Sequence, residues 1–311
     1  MEYGRLGSSG LLVSKIGLGT NNFGGRLDVD GTRAVIDRAL DHGITLFDTA
    51  DIYARGKSEE FIGEVLGKRR HEVILATKFG QSMGESPYAR GTSRRYIMRA
   101  AEDSLRRLNT DYIDLYQVHQ PDAETPILES LQALDDLVQQ GKVRYIGHSN
   151  FVGWQIADAA WTARTEHLAR PISAQNEYSL LSRGVAREVL PAVRAFGLGL
   201  LPYFPLASGF LTGKYRRDAV PEGTRLTVAG SRMGSRILTD RNWDQLERLE
   251  SFASERGHSM IELAFGWLLS QPEVSSVIAG AMTPEQVDSN VGKGTAWKLT
   301  PDEMAAVPAL D

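Results

Sequence analysis

The chain has 311 residues, of which 42% are hydrophobic and 24% charged, and its formal net charge at pH 7 is −4. This length fits one α/β barrel or two ordinary domains, and the mildly acidic charge argues against nucleic-acid binding. The sequence contains no cysteine, which excludes disulfide bonds, thiol nucleophiles and cysteine-ligated zinc or iron–sulfur centres. We therefore expect any chemistry to use oxygen and nitrogen groups or a bound cofactor.

The amino-terminal segment lacks the charged and apolar regions of a secretory signal, and no stretch approaches about 18 uninterrupted apolar residues. We therefore expect a cytoplasmic protein without a membrane partner. A small, neutral or polar molecule is the expected ligand, and no metal site is expected.

The chain opens with a predicted β-hairpin, in which Gly7–Gly10 forms the turn between Tyr3–Leu6 and Leu11–Val13. Short apolar runs then alternate with amphipathic helical stretches. The runs predicted as strands are Ile16–Leu18, Thr45–Phe47, Val73–Ala76, Ile113–Val118, Val143–Ile146, Ile172–Ala174, Gly199–Tyr203 and Val274–Ile278. The predicted helices are Gly31–Asp41, Glu59–Gly67, Arg94–Leu108, Pro126–Gln140, Gly153–Ala163, Arg187–Phe196, Met260–Ser270 and, after the last strand, Pro284–Val291.

Eight alternations of strand and helix predict parallel strands with crossover helices, and this number favours a closed (β/α)8 TIM barrel over an open sheet. One long segment, Ala207–Thr239, interrupts the alternation after the seventh strand and precedes an inserted helix predicted at Asn242–Arg256. Such a loop is either a cofactor clamp or substrate lid, or a tolerated insertion. No linker divides the chain, so we expect residues 1–311 to form one domain.

A doubly wound dinucleotide-binding fold is the structural alternative, because Gly17-Leu18-Gly19 follows a predicted strand. The pattern requires a third glycine and an immediate helix. Position 22 is Asn, and no helix begins there. The sequence therefore favours the barrel.

Polar side chains follow predicted strands at the edge where a barrel enzyme carries its active site. The second strand leads into Asp48 and Tyr53, the third into Lys78 and the fourth into His119. A phenol with an ordinary pKa of about 10 is a weak acid at neutral pH, and a nearby ammonium lowers that pKa because it stabilises the phenolate. We expect Lys78 to act in this way on Tyr53, and Asp48 to pair with Lys78. His119 would orient a carbonyl oxygen, in a protonation state that the sequence leaves open.

Four segments carry a resemblance to a known family. They are Phe47-Asp48-Thr49-Ala50-Asp51-Ile52-Tyr53, Thr77-Lys78, Gln117-Val118-His119, and Gly141-Lys142-Val143-Arg144-Tyr145-Ile146-Gly147 followed by Ser149-Asn150. From the hairpin to about Val291, the chain resembles the aldo-keto reductase superfamily, in the branch of potassium-channel β-subunits and aryl-alcohol dehydrogenases. The resemblance implies NAD(P)H-dependent reduction of an aldehyde or ketone, or the reverse reaction, with Tyr53 as proton donor.

The same resemblance implies a cofactor site. Ser149, Asn150 and Gln175 match residues that bind the nicotinamide carboxamide, and Tyr203 matches an aromatic residue that stacks on the ring. The remaining implied cofactor residues are Leu206, Gly209, Leu211, Gly213 and Lys214 around the pyrophosphate, and Gly280, Thr283, Gln286 and Asn290 towards the adenosine end. The predicted helix that begins near Thr283 would offer free backbone N–H groups to an anion.

The chain departs from the family pattern in two places. Members specific for NADPH often carry Lys or Arg where this chain has Gly280-Ala281-Met282 and Gln286. NADPH remains the expected cofactor if the long loop supplies the missing cation from Lys214, Arg216, Arg217 or Arg232, and NADH is the alternative. The second departure is His148, which stands where a small apolar residue usually precedes Ser-Asn, and which either packs or polarises the pocket.

The substrate is expected to meet loop residues, with Asn22, Phe23 and Tyr88 as candidates. This mixture of polar and aromatic groups suits a sugar-like or bulky polar carbonyl. Two other functions stay open: an NAD-dependent sugar or alcohol dehydrogenase working in the oxidative direction, and a cofactor-binding regulatory subunit of a membrane channel. The sequence leaves the physiological substrate and the oligomeric state open.

Overall fold

A parallel sheet of eight strands curls into a barrel, and helices pack around it. The structure is a computed structural model that describes residues 1–228 and 230–309; residue 229, in the predicted long loop, and residues 310 and 311, at the end of the predicted domain, lie outside the described residues. The barrel strands are β3 (Ile16–Gly19), β4 (Leu46–Asp48), β5 (Ile74–Phe79), β6 (Ile113–Val118), β7 (Val143–Ser149), β8 (Pro171–Gln175), β9 (Gly199–Leu200) and β10 (Val277–Gly280). The helices of the described residues are α1 (Val29–Asp41), α2 (Lys57–Leu66), α3 (Arg94–Arg107), α4 (Ile127–Gln139), α5 (Gly153–Thr165), α6 (Val189–Phe196), α7 (Arg232–Ile237), α8 (Asp240–Ser254), α9 (Met260–Leu269), α10 (Pro284–Gly294) and α11 (Pro301–Ala306).

The ring of strands closes between the first and last barrel strands. Strands β3 to β9 pair in chain order, and β10 pairs with β3 so that Val277 lies opposite Ile16. At the other edge, β9 is joined to the chain before β10 by a parallel bridge between Leu200 and Val274. The predicted (β/α)8 barrel is confirmed, and its parallel strands bring all their carboxyl ends to one face.

The hairpin closes the opposite face of the barrel. Its strands, β1 (Tyr3–Arg5) and β2 (Leu12–Ser14), pair antiparallel. The turn packs so closely at Gly7 that a Cβ there would lie 2.5 Å from the carbonyl oxygen of Gly197. Residues of the hairpin form a buried apolar cluster with residues inside the barrel: Leu6, Val13, Leu46, Ala76, Leu115, Leu201 and Ile278. The predicted cap therefore seals the amino-terminal end and leaves the carboxyl end for a ligand.

The structure differs from the prediction mainly after the seventh barrel strand. That strand is shorter than predicted, because beyond Leu200 the chain makes a single bridge between Glu177 and Tyr203. The long loop contains a 3₁₀ turn at Ala207–Thr212 and helix α7, neither of which was predicted. The inserted helix is confirmed but begins earlier, at Asp240, because Thr239 caps it by accepting from the N–H of Asn242. Helix α11 was also not predicted.

Across the residues that the structure describes, no helix is both long enough and apolar enough to span a bilayer.

Candidate active site

A cavity of about 880 Å³ opens at the carboxyl ends of the strands. Asp48, Tyr53 and His119 line this cavity, and Lys78 is fully buried against Asp48. Its volume is typical of sites that bind cofactors and small molecules. The structure therefore brings together the four residues that the sequence singled out for catalysis.

Lys78 and Asp48 form a buried ion pair at the base of the cavity. The Lys78 Nζ donates to Asp48 Oδ2 at 2.7 Å and to the carbonyl oxygen of Thr49 at 2.7 Å. Burial is the largest single effect and favours the neutral amine, but the charges and hydrogen bonds of Asp48 and Tyr53 together outweigh it, so the pKa of Lys78 is raised. Lys78 therefore stays an ammonium, and its third N–H is available to the hydroxyl of Tyr53.

Tyr53 follows β4 on a strained turn. Ala54 and Arg55 have φ angles of +47° and +55°, and Gly56 follows with φ of +90°. The Lys78 Nζ lies 5.2 Å from the centre of the Tyr53 ring. Burial raises the pKa of Tyr53, and the positive charge of Lys78 lowers it by a smaller amount. The effect expected from Lys78 is thus present but outweighed, and the phenol is protonated at neutral pH.

A buried network anchors this turn from below. Glu59 is fully buried and accepts hydrogen bonds from Thr77 Oγ1 at 2.5 Å and from Arg107 Nε at 2.7 Å. Gly56 packs against the same arginine, since a Cβ there would lie 2.7 Å from Arg107 Cδ. The network ties α3 to β5 just before Lys78. Sequence reasoning missed it, because Glu59 and Arg107 look like ordinary exposed helix charges.

Asp51 is a buried carboxyl close enough to this network for the charges of Glu59 and Arg107 to act on it. It is 1% exposed, and its Oδ1 has no hydrogen-bond partner among the residues that the structure describes. The hydroxyl of Tyr96 donates to its Oδ2 at 3.4 Å. Burial, together with the nearby charge of Glu59, raises the pKa of Asp51 to about 7. Asp51 is therefore partly protonated near neutral pH.

His119 faces the edge of the Tyr53 ring. The two ring centres are 5.9 Å apart and the planes are nearly perpendicular, at 83°. Burial, aided by the charge of Lys78, lowers the pKa of His119 to about 3. A pKa this far below 7 favours the neutral imidazole at neutral pH.

His148 does not line this cavity. Its ring stacks on Phe151 with a centre-to-centre distance of 4.6 Å, and the side chain is buried. Burial lowers the pKa of His148 to about 4. Of the two roles considered for it, the structure favours packing over polarising the pocket.

Residues that the sequence assigned to the nicotinamide meet on one wall of the cavity. Ser149, Asn150, Gln175 and Tyr203 all line it. Tyr203 donates its hydroxyl to Asn150 Oδ1 at 2.7 Å, and Asn150 Nδ2 donates to the carbonyl oxygen of His119 at 2.9 Å. Gln175 Nε2 donates to Asp48 Oδ1 at 2.8 Å. This wall is therefore hydrogen-bonded to the candidate catalytic residues.

The other sequence candidates divide into two groups. Those that line the cavity are Asn22, Leu206, Gly209, Lys214, Gly280, Gln286 and Asn290. Those that do not are Phe23, Tyr88, Leu211, Gly213 and Thr283. Phe23 and Leu211 are fully buried in the core, while Tyr88 is 59% exposed beneath the Arg95 guanidinium. Thr283 caps α10 by accepting from the N–H of Gln286. The structure does not bring these five residues to the cavity wall, and their assignment to cofactor or substrate stays a prediction.

Of the four cations proposed for the long loop, one lines the cavity and three do not. Lys214 lines the cavity. Arg216 instead donates to Glu250 at 2.7 Å, and Arg217 pairs with carboxylates of α8. Arg232 is exposed and does not line the cavity.

Sequence reasoning missed two further arginines on the cavity wall, Arg26 and Arg225. The sequence indicated only that these two basic residues lie in loops that follow barrel strands. The glycine and proline content around them gave no indication of the direction in which they point.

A parallel barrel with a cavity of this kind at its carboxyl face, containing a tyrosine beside a buried lysine–aspartate pair, defines a barrel enzyme of the oxidoreductase class. The chain belongs to the Aldo/keto reductase family, whose sequence model matches residues 15–311. This confirms the resemblance drawn from the motifs. Family membership supports carbonyl reduction and a nicotinamide cofactor.

Individual relatives carry different names. The chain is 39% identical to a probable voltage-gated potassium channel subunit beta of Oryza sativa subsp. japonica, covering 100% of this chain and 96% of that protein. It is 38% identical to an uncharacterized oxidoreductase of Bacillus subtilis, covering 94% and 90%. It is 35% identical to the L-glyceraldehyde 3-phosphate reductase of Escherichia coli K12, covering 99% and 91%.

Proposed function

We propose that this protein reduces an aldehyde or ketone to the alcohol with a reduced nicotinamide cofactor, NADPH in preference to NADH, and that Tyr53 donates the proton. The observation that carries the proposal is the buried ammonium of Lys78, which is bonded to Asp48 and set beneath the Tyr53 ring at the base of a cofactor-sized cavity. We also propose that residues 1–311 act as a single domain.

The residues present fit such a cofactor. Amide and hydroxyl groups of Ser149, Asn150 and Gln175 match a carboxamide, which both donates and accepts hydrogen bonds, and the ring of Tyr203 lies on the same wall. Lys214 lines the cavity with no carboxylate partner in residues 1–228 and 230–309, so its charge is available to a phosphate. The bound nicotinamide would supply the hydride.

The protein's own groups then control the proton. The Tyr53 hydroxyl is protonated near neutral pH and gives its proton to the oxygen of the carbonyl as negative charge develops there. The Lys78 ammonium stabilises the phenolate that remains, and Asp48 keeps that ammonium in place. His119 is neutral, so it orients the carbonyl oxygen through one N–H without adding a charge.

Replacing Tyr53 with Phe tests this role. We expect Tyr53→Phe to abolish reduction, because it removes the proposed proton donor, while the dissociation constant for NADPH changes by no more than about twofold. Stopped-flow absorbance of the reduced nicotinamide measures the rate of reduction, and fluorescence titration measures the dissociation constant for NADPH. A variant that keeps most of the parent rate would remove Tyr53 from the mechanism.

The cofactor preference is tested at Lys214. A charge-assisted hydrogen bond contributes about 1.5–3 kcal/mol, so Lys214→Met should cost roughly ten- to a hundredfold in NADPH affinity and much less in NADH affinity. Arg216→Met is the matched control, since Arg216 pairs with Glu250 and does not line the cavity. Equal losses for both cofactors, or a parent that prefers NADH, would contradict the assignment and favour a dehydrogenase working in the oxidative direction.

A regulatory function is the second candidate, because relatives from rice and Arabidopsis thaliana are named as probable potassium channel β-subunits. The presence of Asp48, Tyr53, Lys78 and His119 in one site favours an enzyme. Turnover with a panel of aldehydes, including sugar-like and phosphorylated ones, separates the two: absence of turnover with every member, despite tight cofactor binding, would favour the regulatory function.

A further inference from the structure

Three buried hydroxyl groups form a cluster that adjoins the Asp48–Lys78 ion pair. This hydroxyl cluster consists of Thr20 after β3, Thr49 after β4 and Ser58 in the first turn of α2, and all three side chains are fully buried. The Ser58 Oγ lies 2.9 Å from Thr49 Oγ1 and 3.1 Å from Thr20 Oγ1. Thr49 and Ser58 do not line the cavity, so their hydroxyl groups have a role other than contact with a ligand.

The hydrogen bonds of the hydroxyl cluster run in one direction. Thr20 Oγ1 donates to the carbonyl oxygen of Asp48 at 2.9 Å, and Ser58 Oγ donates to the carbonyl oxygen of Thr20 at 3.1 Å. Because each hydroxyl has a single proton, Thr49 must be the donor in its contact with Ser58. The Ser58 hydroxyl therefore accepts from the residue after β4 and donates to the residue after β3, so α2 joins the two strand ends.

Thr49 connects the hydroxyl cluster to the candidate catalytic ammonium. Its carbonyl oxygen accepts from the Lys78 Nζ at 2.7 Å, and its N–H donates to the carbonyl oxygen of Ala76 at 2.8 Å. The side-chain hydroxyl is the remaining polar group of Thr49, and it is bonded to Ser58. The position of Thr49 thus depends on Ser58 and fixes one acceptor of the Lys78 ammonium.

The start of α2 is itself held in place on both sides of Ser58. Lys57 packs so closely against the loop after β3 that a Cβ on Gly24 would lie 2.4 Å from Lys57 Cβ. Glu59 is fully buried and accepts a hydrogen bond from Thr77 of β5. A serine in the first turn of a helix commonly bonds to the nearby backbone, whereas Ser58 points inward between two strand ends. Its hydroxyl is therefore a fixed point for the residues around it.

We propose that Ser58 is a positioning residue, which acts through Thr49 to hold the Lys78 ammonium where it stabilises the phenolate of Tyr53. The proposal rests on the proposed carbonyl reduction, in which Tyr53 gives up its proton. A misplacement of about 1 Å at a reacting centre can lower a rate by about a hundredfold. Loss of one hydrogen bond in the hydroxyl cluster should cause a smaller shift and lower kcat by about tenfold.

The test compares substitutions that differ in the hydroxyl group. Ser58→Ala and Thr49→Val remove a hydroxyl, whereas Thr49→Ser keeps it. The substrate is the aldehyde of the panel that the parent reduces fastest. Ser58→Ala and Thr49→Val should each lower kcat by about tenfold, while the KM for the aldehyde and the dissociation constant for NADPH stay within about twofold of the parent values. Thr49→Ser should keep most of the parent rate.

Ser14→Ala is the matched control. Ser14 is fully buried like Ser58, and it donates to the carbonyl oxygen of Ile16 and accepts from the N–H of Thr45. It lies in the hairpin, at the opposite end of the barrel from the cavity. Its loss should therefore affect packing and stability, while kcat equals that of the parent.

The Lys78 ammonium can also be observed without turnover. In protein labelled isotopically at the lysine side-chain nitrogens, the NMR resonance that disappears in Lys78→Arg belongs to the Lys78 Nζ. This resonance should shift in Ser58→Ala and in Thr49→Val, lie near its parent position in Thr49→Ser, and stay unchanged in Ser14→Ala. Such a shift reports the surroundings of the ammonium, which a general loss of folded protein would not change.

Three results would overturn the proposal. They are a parent-like kcat in both Ser58→Ala and Thr49→Val, a Lys78 resonance that moves in neither variant, and a kcat in Thr49→Ser as low as that of Thr49→Val. A parent that reduces no aldehyde would contradict the proposed function itself. The NMR comparison would still decide in that case whether the hydroxyl cluster holds the ammonium.

Discussion

The buried carboxyl of Asp51 should make the stability of this protein fall as the pH rises. Its pKa is about 7 in the folded protein against an ordinary value of 3.8. Between these two values the folded state keeps the proton while the unfolded state loses it, so the free energy of unfolding decreases through this window and levels off above about pH 7. Each pKa unit corresponds to about 1.36 kcal/mol. Between pH 5 and pH 8, the titration of Asp51 should therefore lower the free energy of unfolding by up to about 2.5 kcal/mol.

Asp51→Asn removes the titration and keeps an oxygen that can accept from Tyr96. The stability of this variant relative to the parent should therefore increase by up to about 2.5 kcal/mol from pH 5 to pH 8. Urea denaturation at each pH measures the difference, and m-values must agree between the two proteins. Asp111→Asn, at an exposed aspartate, is the control and should run parallel to the parent. Parallel curves for Asp51→Asn as well would refute the argument that this carboxyl is held protonated by burial.

Three further substitutions probe the site and the packing beneath it. Lys78→Met should reduce kcat nearly as far as Tyr53→Phe, because it removes the cation that stabilises the phenolate; near-normal turnover would contradict that coupling. Tyr203→Ala should weaken the binding of NADPH and of NADH by similar factors in fluorescence titration, because stacking on the nicotinamide does not involve the 2′-phosphate. A loss of affinity for one cofactor alone would argue against stacking. Gly63→Ala should destabilise the fold by about 1–3 kcal/mol in urea, because a Cβ would lie 2.6 Å from the backbone of Leu108; an unchanged midpoint would show that α2 and α3 can separate.

The barrel was predictable because each strand and helix carries its own local signal. A buried strand such as Ile113–Val118 is a short apolar run, and its predicted bounds match those observed. The four candidate catalytic residues were predictable for a related reason, since parallel strands bring polar residues at their carboxyl ends to one face.

The remaining features depend on tertiary contacts or on short-range caps. Arg26 and Arg225 come from loops that are far apart in the sequence, and only the folded structure shows that they share a cavity. Phe23 was expected to meet substrate, yet it packs in the core, because a loop residue beside a strand can point either way. Helix α11 is short, but Thr300 and Glu303 form a capping box with Pro301 in the first turn, and this signal was available in the sequence.

The closure of the barrel between β10 and β3 has a consequence for the order of events in folding. Ile16 and Val277 lie near opposite ends of the chain, so their pairing carries a large loop-closure entropy and should form late. The edge between β9 and β10 also has few backbone hydrogen bonds among the described residues: two at the bridge between Leu200 and Val274, and one from Ile278 N to the carbonyl oxygen of Pro202. Amide protons along this edge should therefore exchange with solvent sooner than those of β5 and β6. Tyr203 and Gly280 lie on either side of this edge, and both line the cavity. A molecule that contacts both residues should therefore slow this exchange and stabilise the closed ring of barrel strands.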